Sequence, residues 1–203
     1  FGGMEEITIA PDSRAIAYVA RVGKGSELAW HTNSDIFLVT QNAHGKWSAP
    51  VDVTVDNKAY EFSPSFSPDG KSIAFLRMMR PGYESDRNRV ALMDVATKKV
   101  RVLTEAWDRS PGDVEWAHDG KTIWATADNL GSHAIFAVDV ASGSVKAIVD
   151  KGENGSPHQA GDRLLFAKDT LVSPTELYTC KFDGSDVKPV TKLNAERTSK
   201  IAW

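Results

Sequence analysis

The stretch Phe66-Ser67-Pro68-Asp69-Gly70-Lys71-Ser72-Ile73-Ala74-Phe75 decides the fold of this chain. It places an Asp-Gly turn between a short aromatic segment and a run of strand-forming residues. Asp-Gly between apolar runs is a strong β-hairpin signal, because glycine takes a positive φ without steric cost. The stretch therefore predicts the first hairpin of an antiparallel sheet.

The same hairpin pattern returns three more times along the chain, in weaker form. The related stretches are residues 9–18, 116–124 and 160–166. The last residue, Trp203, occupies the place that Phe66 holds just before its turn. The chain is therefore built from internal repeats.

Each repeat also has a second half. The strand-like segments 36–39, 90–93, 135–138 and 177–180 occupy equivalent places, and a short turn and a further strand follow the last three. Repeats of roughly 41 to 57 residues with four strands each are typical of β-propeller blades. Because no segment keeps a 3.6-residue apolar period, little helix is expected. We predict an all-β chain, a β-propeller of four-stranded antiparallel blades.

The repeats also predict the domain organisation. The blades cover about 5–55, 61–105, 112–150 and 155–192, and residues 198–203 start the next one. A propeller has to close into a ring, since an open arc exposes strand edges. We therefore expect a partial propeller over residues 1–203, with about four blades and the first strand of a fifth, as a fragment of a larger propeller.

Blade geometry places the connections after strands two and four on one face, where loops on a rigid scaffold commonly carry function. We expect these connections to be long. They are residues 22–33, 79–89, 105–113, 150–157 and 168–175.

Composition excludes several classes of function. The 203 residues carry a net charge of −3, which gives no general attraction to nucleic acid or anionic membranes. No apolar run approaches the ~18 residues that span a bilayer. The single cysteine, Cys180, excludes an internal disulfide and a cysteine-rich metal site. We expect no nucleic-acid or membrane partner, and a secreted or periplasmic location.

No complete catalytic set is visible. Residues 70–72 and 120–122 end like phosphate-binding loops, but Ser65 and Glu115 stand where the required glycine would be. The chain also lacks a G-x-S-x-G nucleophile motif and an H-E-x-x-H zinc motif. We therefore predict no catalytic residue, no cofactor and no metal ligand here, and no peptidase turnover from this chain alone.

Five residues are candidates for substrate binding, each with a simpler alternative. Tyr83 and Glu84 lie in a segment with four arginines, 77–89, which forms either a ligand contact or a solvated hairpin with internal ion pairs. Trp107 and Asp108 lie in a blade connection, where a tryptophan can simply join neighbouring blades. Glu61 precedes an inner strand and either faces the central channel or is a turn residue.

Three sets of residues support a resemblance to a known family. They are the Ser-Pro-Asp-Gly-Lys turn at 67–71, the Ser-Pro-Thr-Glu-Leu-Tyr strand at 173–178 with the Thr-Lys-Leu-Asn connection at 191–194, and residues 1–3 with 32–36 and 80–86. With these features the chain resembles the N-terminal propeller of the prolyl oligopeptidase class of serine peptidases (family S9). The similarity is greatest to the branch of dipeptidyl peptidase 5 and the acylaminoacyl-peptidases.

This resemblance implies a two-domain enzyme. A C-terminal α/β-hydrolase domain, outside this sequence, would carry the Ser-Asp-His triad, and the propeller would admit only short or unfolded peptides. In dipeptidyl peptidases a carboxylate from the propeller side can hold the free amino group of the substrate. Glu84 and Glu61 are the first candidates for this carboxylate, followed by Asp108.

Two other functions are compatible with the repeats. A non-catalytic, TolB-like propeller would bind protein partners through the same loops. A carbohydrate-active propeller would instead need paired carboxylates ~5–9 Å apart. A G-x-S-x-G motif downstream would favour the hydrolase, and its absence would favour the scaffold.

Overall fold

A computed structural model describes residues 6–201 of the chain. These residues contain sixteen strands, arranged as four successive antiparallel meanders that we call blades one to four. The strands of blades one and two are β1 (Ile7–Ile9), β2 (Ala15–Ala20), β3 (Asp35–Thr40), β4 (Val51–Asp52), β5 (Glu61–Phe66), β6 (Ser72–Arg77), β7 (Arg89–Asp94) and β8 (Val100–Val102). The strands of blades three and four are β9 (Pro111–Trp116), β10 (Thr122–Asn129), β11 (Ser132–Asp139), β12 (Val145–Val149), β13 (Glu153–Ala160), β14 (Arg163–Thr170), β15 (Ser173–Cys180) and β16 (Lys188–Pro189).

The predicted fold class is confirmed. Within each blade the strands pair with their sequence neighbours in antiparallel order, and the first strands of consecutive blades contact each other. Blades three and four are joined into one sheet, because His133 in β11 makes a single parallel bridge to Glu153 in β13. The connection between blades three and four is only three residues long, 150–152, so β13 has to start beside β11.

Two short helices lie wholly within the described residues. A 3-10 helix covers Gly25–Ala29, and a one-turn helix, α1, covers Ala195–Thr198. The expected start of a fifth blade at 198–203 falls on the end of α1 and a turn, and residues 202–203 lie outside the described part, as do residues 1–3. Within residues 6–201 no helix is both long and apolar enough to cross a membrane.

The repeated hairpin turn has the geometry that its sequence predicts. Phe66 pairs with Ile73 across the turn, and Gly70 takes a φ of +70°. The Asp69 carboxylate accepts hydrogen bonds from the Ser67 hydroxyl and from the backbone N–H of Lys71, at 2.7 and 3.0 Å. The Asp69 side chain therefore stabilises its own turn by accepting hydrogen bonds from residues on either side, as in an Asx turn.

The hydrophobic core lies between blades, in four clusters that cover the three junctions of the described blades. In β6, Ile73 and Phe75 pack against blade one, whereas Ala74 and Leu76 pack against blade three. Both faces of this strand are buried, which explains its continuous apolar sequence. All residues predicted to be buried are buried, namely Phe66, Ile73, Phe75, Trp116, Ile123, Ile135, Phe136, Leu164 and Phe166.

A threonine extends the pairing of strands three and four in three of the blades. In each case the strand-three backbone N–H donates to the threonine hydroxyl at 2.9 Å. The donor and acceptor pairs are Ile36 with Thr54, Val90 with Thr104, and Leu177 with Thr191. A side chain thus continues the ladder where the fourth strand has ended.

The expectation of long connections after every second strand is wrong for blades three and four. In blades one and two these connections are long, residues 21–34 and 78–88. In blades three and four the connections after strand two have only two residues, 130–131 and 171–172, so the segment 168–175 is mostly strand. The expected long connection 150–157 likewise has only three residues, 150–152. Leu130 and Gly131 both take a positive φ, the backbone that a tight two-residue hairpin needs.

Replacing Thr104 by valine tests the ladder extension. Thr104 is 1% exposed, so the isosteric Thr104→Val change leaves the Val90 N–H buried without an acceptor. We expect the free energy of unfolding to fall by about 1–3 kcal/mol, measured by urea denaturation. Thr40→Val is the matched control, since Thr40 is exposed and its hydroxyl makes no hydrogen bond with the described residues. Equal effects of the two changes would contradict the structural role of Thr104.

Candidate functional site

A groove opens between the two long connections of blades one and two, which we call loop A (21–34) and loop B (78–88). Its first section has a volume of about 310 Å³. The lining comes from both loops and from the residue before β5, and it consists of Arg21, Thr32, Tyr60, Met78 and Glu84.

Two further sections continue this groove along loop A. A second section of about 480 Å³ shares Arg21, Thr32 and Glu84 with the first. A third section of about 550 Å³ shares Trp30 and Gly82 with the second. We call the three sections together the loop groove.

Loop A is held by hydrogen bonds to its own backbone. The Arg21 guanidinium donates to the carbonyl of Leu28 at 2.8 Å and also to the carbonyl of His31. The backbone N–H of Gly82 in loop B donates to the Thr32 hydroxyl at 3.2 Å. The two sides of the groove are therefore connected.

Loop B is organised around a buried carboxylate, Asp86. Its Oδ2 accepts the backbone N–H groups of Met79 and Arg80, at 2.7 and 3.0 Å, and lies 3.3 Å from the Arg89 guanidinium. Burial alone would raise its pKa, but these hydrogen bonds hold the pKa of Asp86 below its usual value. Arg87 reaches the next blade connection, where the carbonyl of Thr104 accepts at 3.1 Å.

The side chains of the adjacent candidates Tyr83 and Glu84 lie in different surroundings. The Tyr83 ring lies under the Arg80 guanidinium, 4.3 Å from ring centroid to guanidinium carbon, and does not line the groove. Glu84 is exposed and lines the first two groove sections. Among residues 6–201 its carboxylate has no hydrogen-bond or ion-pair partner, which leaves it available to a ligand.

Glu61 is fully buried between blades one and two. Its Oε1 accepts a hydrogen bond from Asn57 and lies 3.2 Å from the Arg77 Nε, while Oε2 has no partner among the described residues. Burial raises the pKa of Glu61 to about 8, despite Asn57 and Arg77, and the nearby carboxylates of Asp35 and Asp52 act in the same direction.

Glu61 neither faces the central channel nor lies in a turn, because it is the first residue of β5 and is buried. A channel section of about 340 Å³ lies between the first strands of all four blades, and Glu61 does not line it. Glu115 and His158 do, and their side chains pair at 3.3 Å. Glu61 instead lies next to the loop groove: Tyr60 and Met78 of the groove lining directly adjoin Glu61 and Arg77 in the chain, and the Ser34 hydroxyl of loop A donates to the Glu61 carbonyl at 2.7 Å.

Trp107 and Asp108 lie outside the loop groove, on the connection from blade two to blade three. The Trp107 ring packs edge-on against Phe136, with centroids 4.8 Å apart, so it joins the two blades. Asp108 is exposed and pairs with Arg109 at 2.7 Å. The structure thus brings Glu84 to the groove and leaves this pair at a neighbouring position on the same face.

Sequence reasoning placed loop A among the connections that carry function but named none of its residues, so it missed Trp30. Trp30 is 86% exposed, its ring contacts no other described ring, and its indole N–H donates to no described residue. A tryptophan in a long polar connection was the signal that could have identified it.

Two other potential sites do not form. Asn154 begins a formal glycosylation sequon, but it is 1% exposed and donates to the carbonyls of His133, Lys151 and Gly152. Such a buried amide is not accessible to a glycosyl transfer enzyme. No group of three or more His, Cys, Asp or Glu side chains within residues 6–201 has the arrangement to hold a metal ion.

The chain is similar to curated peptidases. A protein named Probable dipeptidyl-peptidase 5 from Emericella nidulans is 34% identical over 185 residues, 85% of this chain and 25% of that protein. Dipeptidyl-peptidase 5 from Porphyromonas gingivalis is 28% identical over 195 residues, 96% of this chain and 28% of that protein. The chain resembles the propeller of the prolyl oligopeptidase class. It spans about a quarter of the length of these relatives, and no family model matches it.

Solved structures share the propeller fold at lower identity. TolB from Acinetobacter baumannii has a TM-score of 0.61 and 24% identity, covering 92% of this chain and 43% of that protein. The acylaminoacyl peptidase of Pyrococcus horikoshii also has a TM-score of 0.61, with 15% identity, and covers 92% of this chain and 32% of that enzyme. At these identities the likeness concerns the fold alone.

The buried Glu61 predicts a pH dependence of stability. Its pKa in the folded protein, about 8, lies above the usual 4.5, so its stabilising contribution is complete below pH 4.5 and is lost as the pH rises through 8. We expect the free energy of unfolding to fall less between pH 5 and pH 8 in Glu61→Gln than in the unchanged chain, measured by urea denaturation. Glu153→Gln, at an exposed position, should leave the dependence unchanged. Identical pH profiles for all three proteins would contradict a protonated Glu61.

Proposed function

We propose that this chain is the substrate-gating propeller of a serine-type dipeptidyl or acylaminoacyl peptidase. The parent enzyme would release short N-terminal units from peptides. Its Ser-Asp-His triad would lie in a C-terminal α/β-hydrolase domain outside this sequence, so the partners of the propeller would be that domain and the peptide substrate.

The observation that carries this proposal is the match to two dipeptidyl-peptidase 5 proteins over 85% and 96% of the chain. A propeller that matches along almost its whole length to one kind of enzyme is best interpreted as the same part of a similar enzyme. The loop groove then supplies a place where a peptide would be held.

Glu84 is the residue that we propose to bind the substrate amino group. Its carboxylate is exposed in the groove and has no partner among residues 6–201, so an ammonium group can approach without displacing an existing ion pair. Charge-assisted hydrogen bonds of this kind are short and about twice as strong as neutral ones. The position of the carboxylate would then fix which bond of the peptide reaches the triad.

The other candidates receive different roles. Glu61 is a proposed positioning residue, because it bonds Asn57, and Asn57 in turn bonds the carbonyl of the groove residue Met78. Tyr83 would contact the peptide from outside the groove lining. Trp107 and Asp108 would meet only a longer substrate, since they lie on the next connection.

A non-catalytic scaffold of the TolB kind is the second candidate function. The observation in its favour is the fold similarity to the Acinetobacter baumannii TolB, with a TM-score of 0.61. The coding sequence downstream separates the two candidates. A G-x-S-x-G motif followed by Asp and His supports the peptidase, and an end of the open reading frame without it supports the scaffold.

Replacing Glu84 tests the proposed amino-group site. We expect the 203-residue chain to bind a dipeptide amide with a free amino group about 10–100-fold more tightly than its N-acetylated form, measured by titration calorimetry. In Glu84→Gln this difference should disappear, because the neutral amide cannot form the ion pair.

The matched control is Glu153→Gln, which removes an exposed carboxylate outside the groove lining. It should keep the preference for the free amino group. If acetylation does not change the affinity of the unchanged chain, the chain does not recognise the substrate amino group, and the proposed function fails at this site.

A further inference from the structure

The exposed indole of Trp30 lies next to the proposed amino-group site. Trp30 and Glu84 both line the second groove section, and Trp30 continues into the third. At 86% exposure, the Trp30 side chain contributes little to the packing of the described residues. Exposed tryptophans of this kind are enriched among residues that carry most of a binding energy.

The surroundings of Trp30 are arranged to present the ring. The Arg21 guanidinium bonds the carbonyls of Leu28 and His31, on either side of Trp30. The 3-10 helix Gly25–Ala29 ends at Trp30, whose backbone N–H donates to the carbonyl of Glu27 at 3.0 Å. The loop backbone on both sides of the ring is therefore fixed, so that little ordering of the loop would be needed on binding.

We infer that Trp30 forms a side-chain subsite of the loop groove, which selects peptides with an aromatic or bulky apolar side chain next to the free amino group. This inference rests on the proposed function, because Glu84 would anchor the amino end of the peptide in the adjoining section. The charge of Glu84 and the apolar face of Trp30 match the two features that such a peptide end carries. Val22, which is 60% exposed and lines the third section, extends the apolar surface.

The test compares two peptides on three forms of the 203-residue chain. The peptides are phenylalanyl-alaninamide and glycyl-alaninamide, each also in an N-acetylated form, and affinities are measured by titration calorimetry. The unchanged chain should bind the phenylalanyl peptide about tenfold more tightly than the glycyl peptide. Trp30→Ala should abolish this preference and leave the affinity for the glycyl peptide unchanged.

Trp47→Ala is the matched control, since Trp47 is also an exposed tryptophan, at 41%, but lies on the connection between β3 and β4. It should retain the tenfold preference. A preference that survives in Trp30→Ala, or is equally lost in Trp47→Ala, would overturn the subsite.

The outcomes for the subsite and for the proposed function are separate. If acetylation weakens binding but Trp30→Ala keeps the preference for phenylalanine, the amino-group site stands and only the subsite fails. If acetylation has no effect on either peptide, the proposed function fails, and any remaining aromatic preference belongs to a different binding mode.

Discussion

The structure depends on the burial of both faces of each blade. A strand such as β6 sends Phe75 to one neighbouring blade and Leu76 to the other, and both side chains have no exposed area. A single four-stranded sheet with two apolar faces is not stable alone, so each blade needs the next one. This requirement constrains the strands and the short turns, and it leaves only the longer connections free to vary in length and sequence. Loops A and B therefore form the groove on the face that carries the connections after strands two and four.

The contrast between blades determines where a ligand site can form. Blades three and four close their second hairpins with two residues each, whereas blades one and two have loops that stand above the sheet. Next to these loops the buried contact of Glu61 with Arg77 joins strands β5 and β6, with Asn57 bonded both to Glu61 and to the carbonyl of Met78. Burying polar groups is costly unless they are hydrogen-bonded, so this cluster favours one arrangement of the residues beside the groove over others.

The sequence predicts the repeating hairpin and the interior well, because turn chemistry and two-sided apolar strands are local signals. It also identifies Glu84 as a candidate. It does not distinguish the buried Glu61 from the exposed Glu84, since burial depends on what the neighbouring blade places above each carboxylate. The joining role of Trp107 and the two-residue turn at Leu130 depend likewise on packing and on backbone angles that no motif specifies. The exposed Trp30 was missed because apolar residues in loops carry no periodicity.

The motif that most specifically indicates the peptidase class is the strand 173–178 together with the connection 191–194. The structure explains why these two segments occur together. The Glu176 carboxylate accepts hydrogen bonds from the Thr191 hydroxyl and from the backbone N–H of Asn194, the latter at 2.7 Å, and these bonds lower the pKa of Glu176. Glutamate in the strand and Thr-x-x-Asn in the connection are thus two halves of one contact that ends the fourth blade. Such a contact maintains the fold and says nothing about the substrate. In the proposed function, specificity comes from the exposed loop residues Glu84 and Trp30, which are free to change because no blade packs on them.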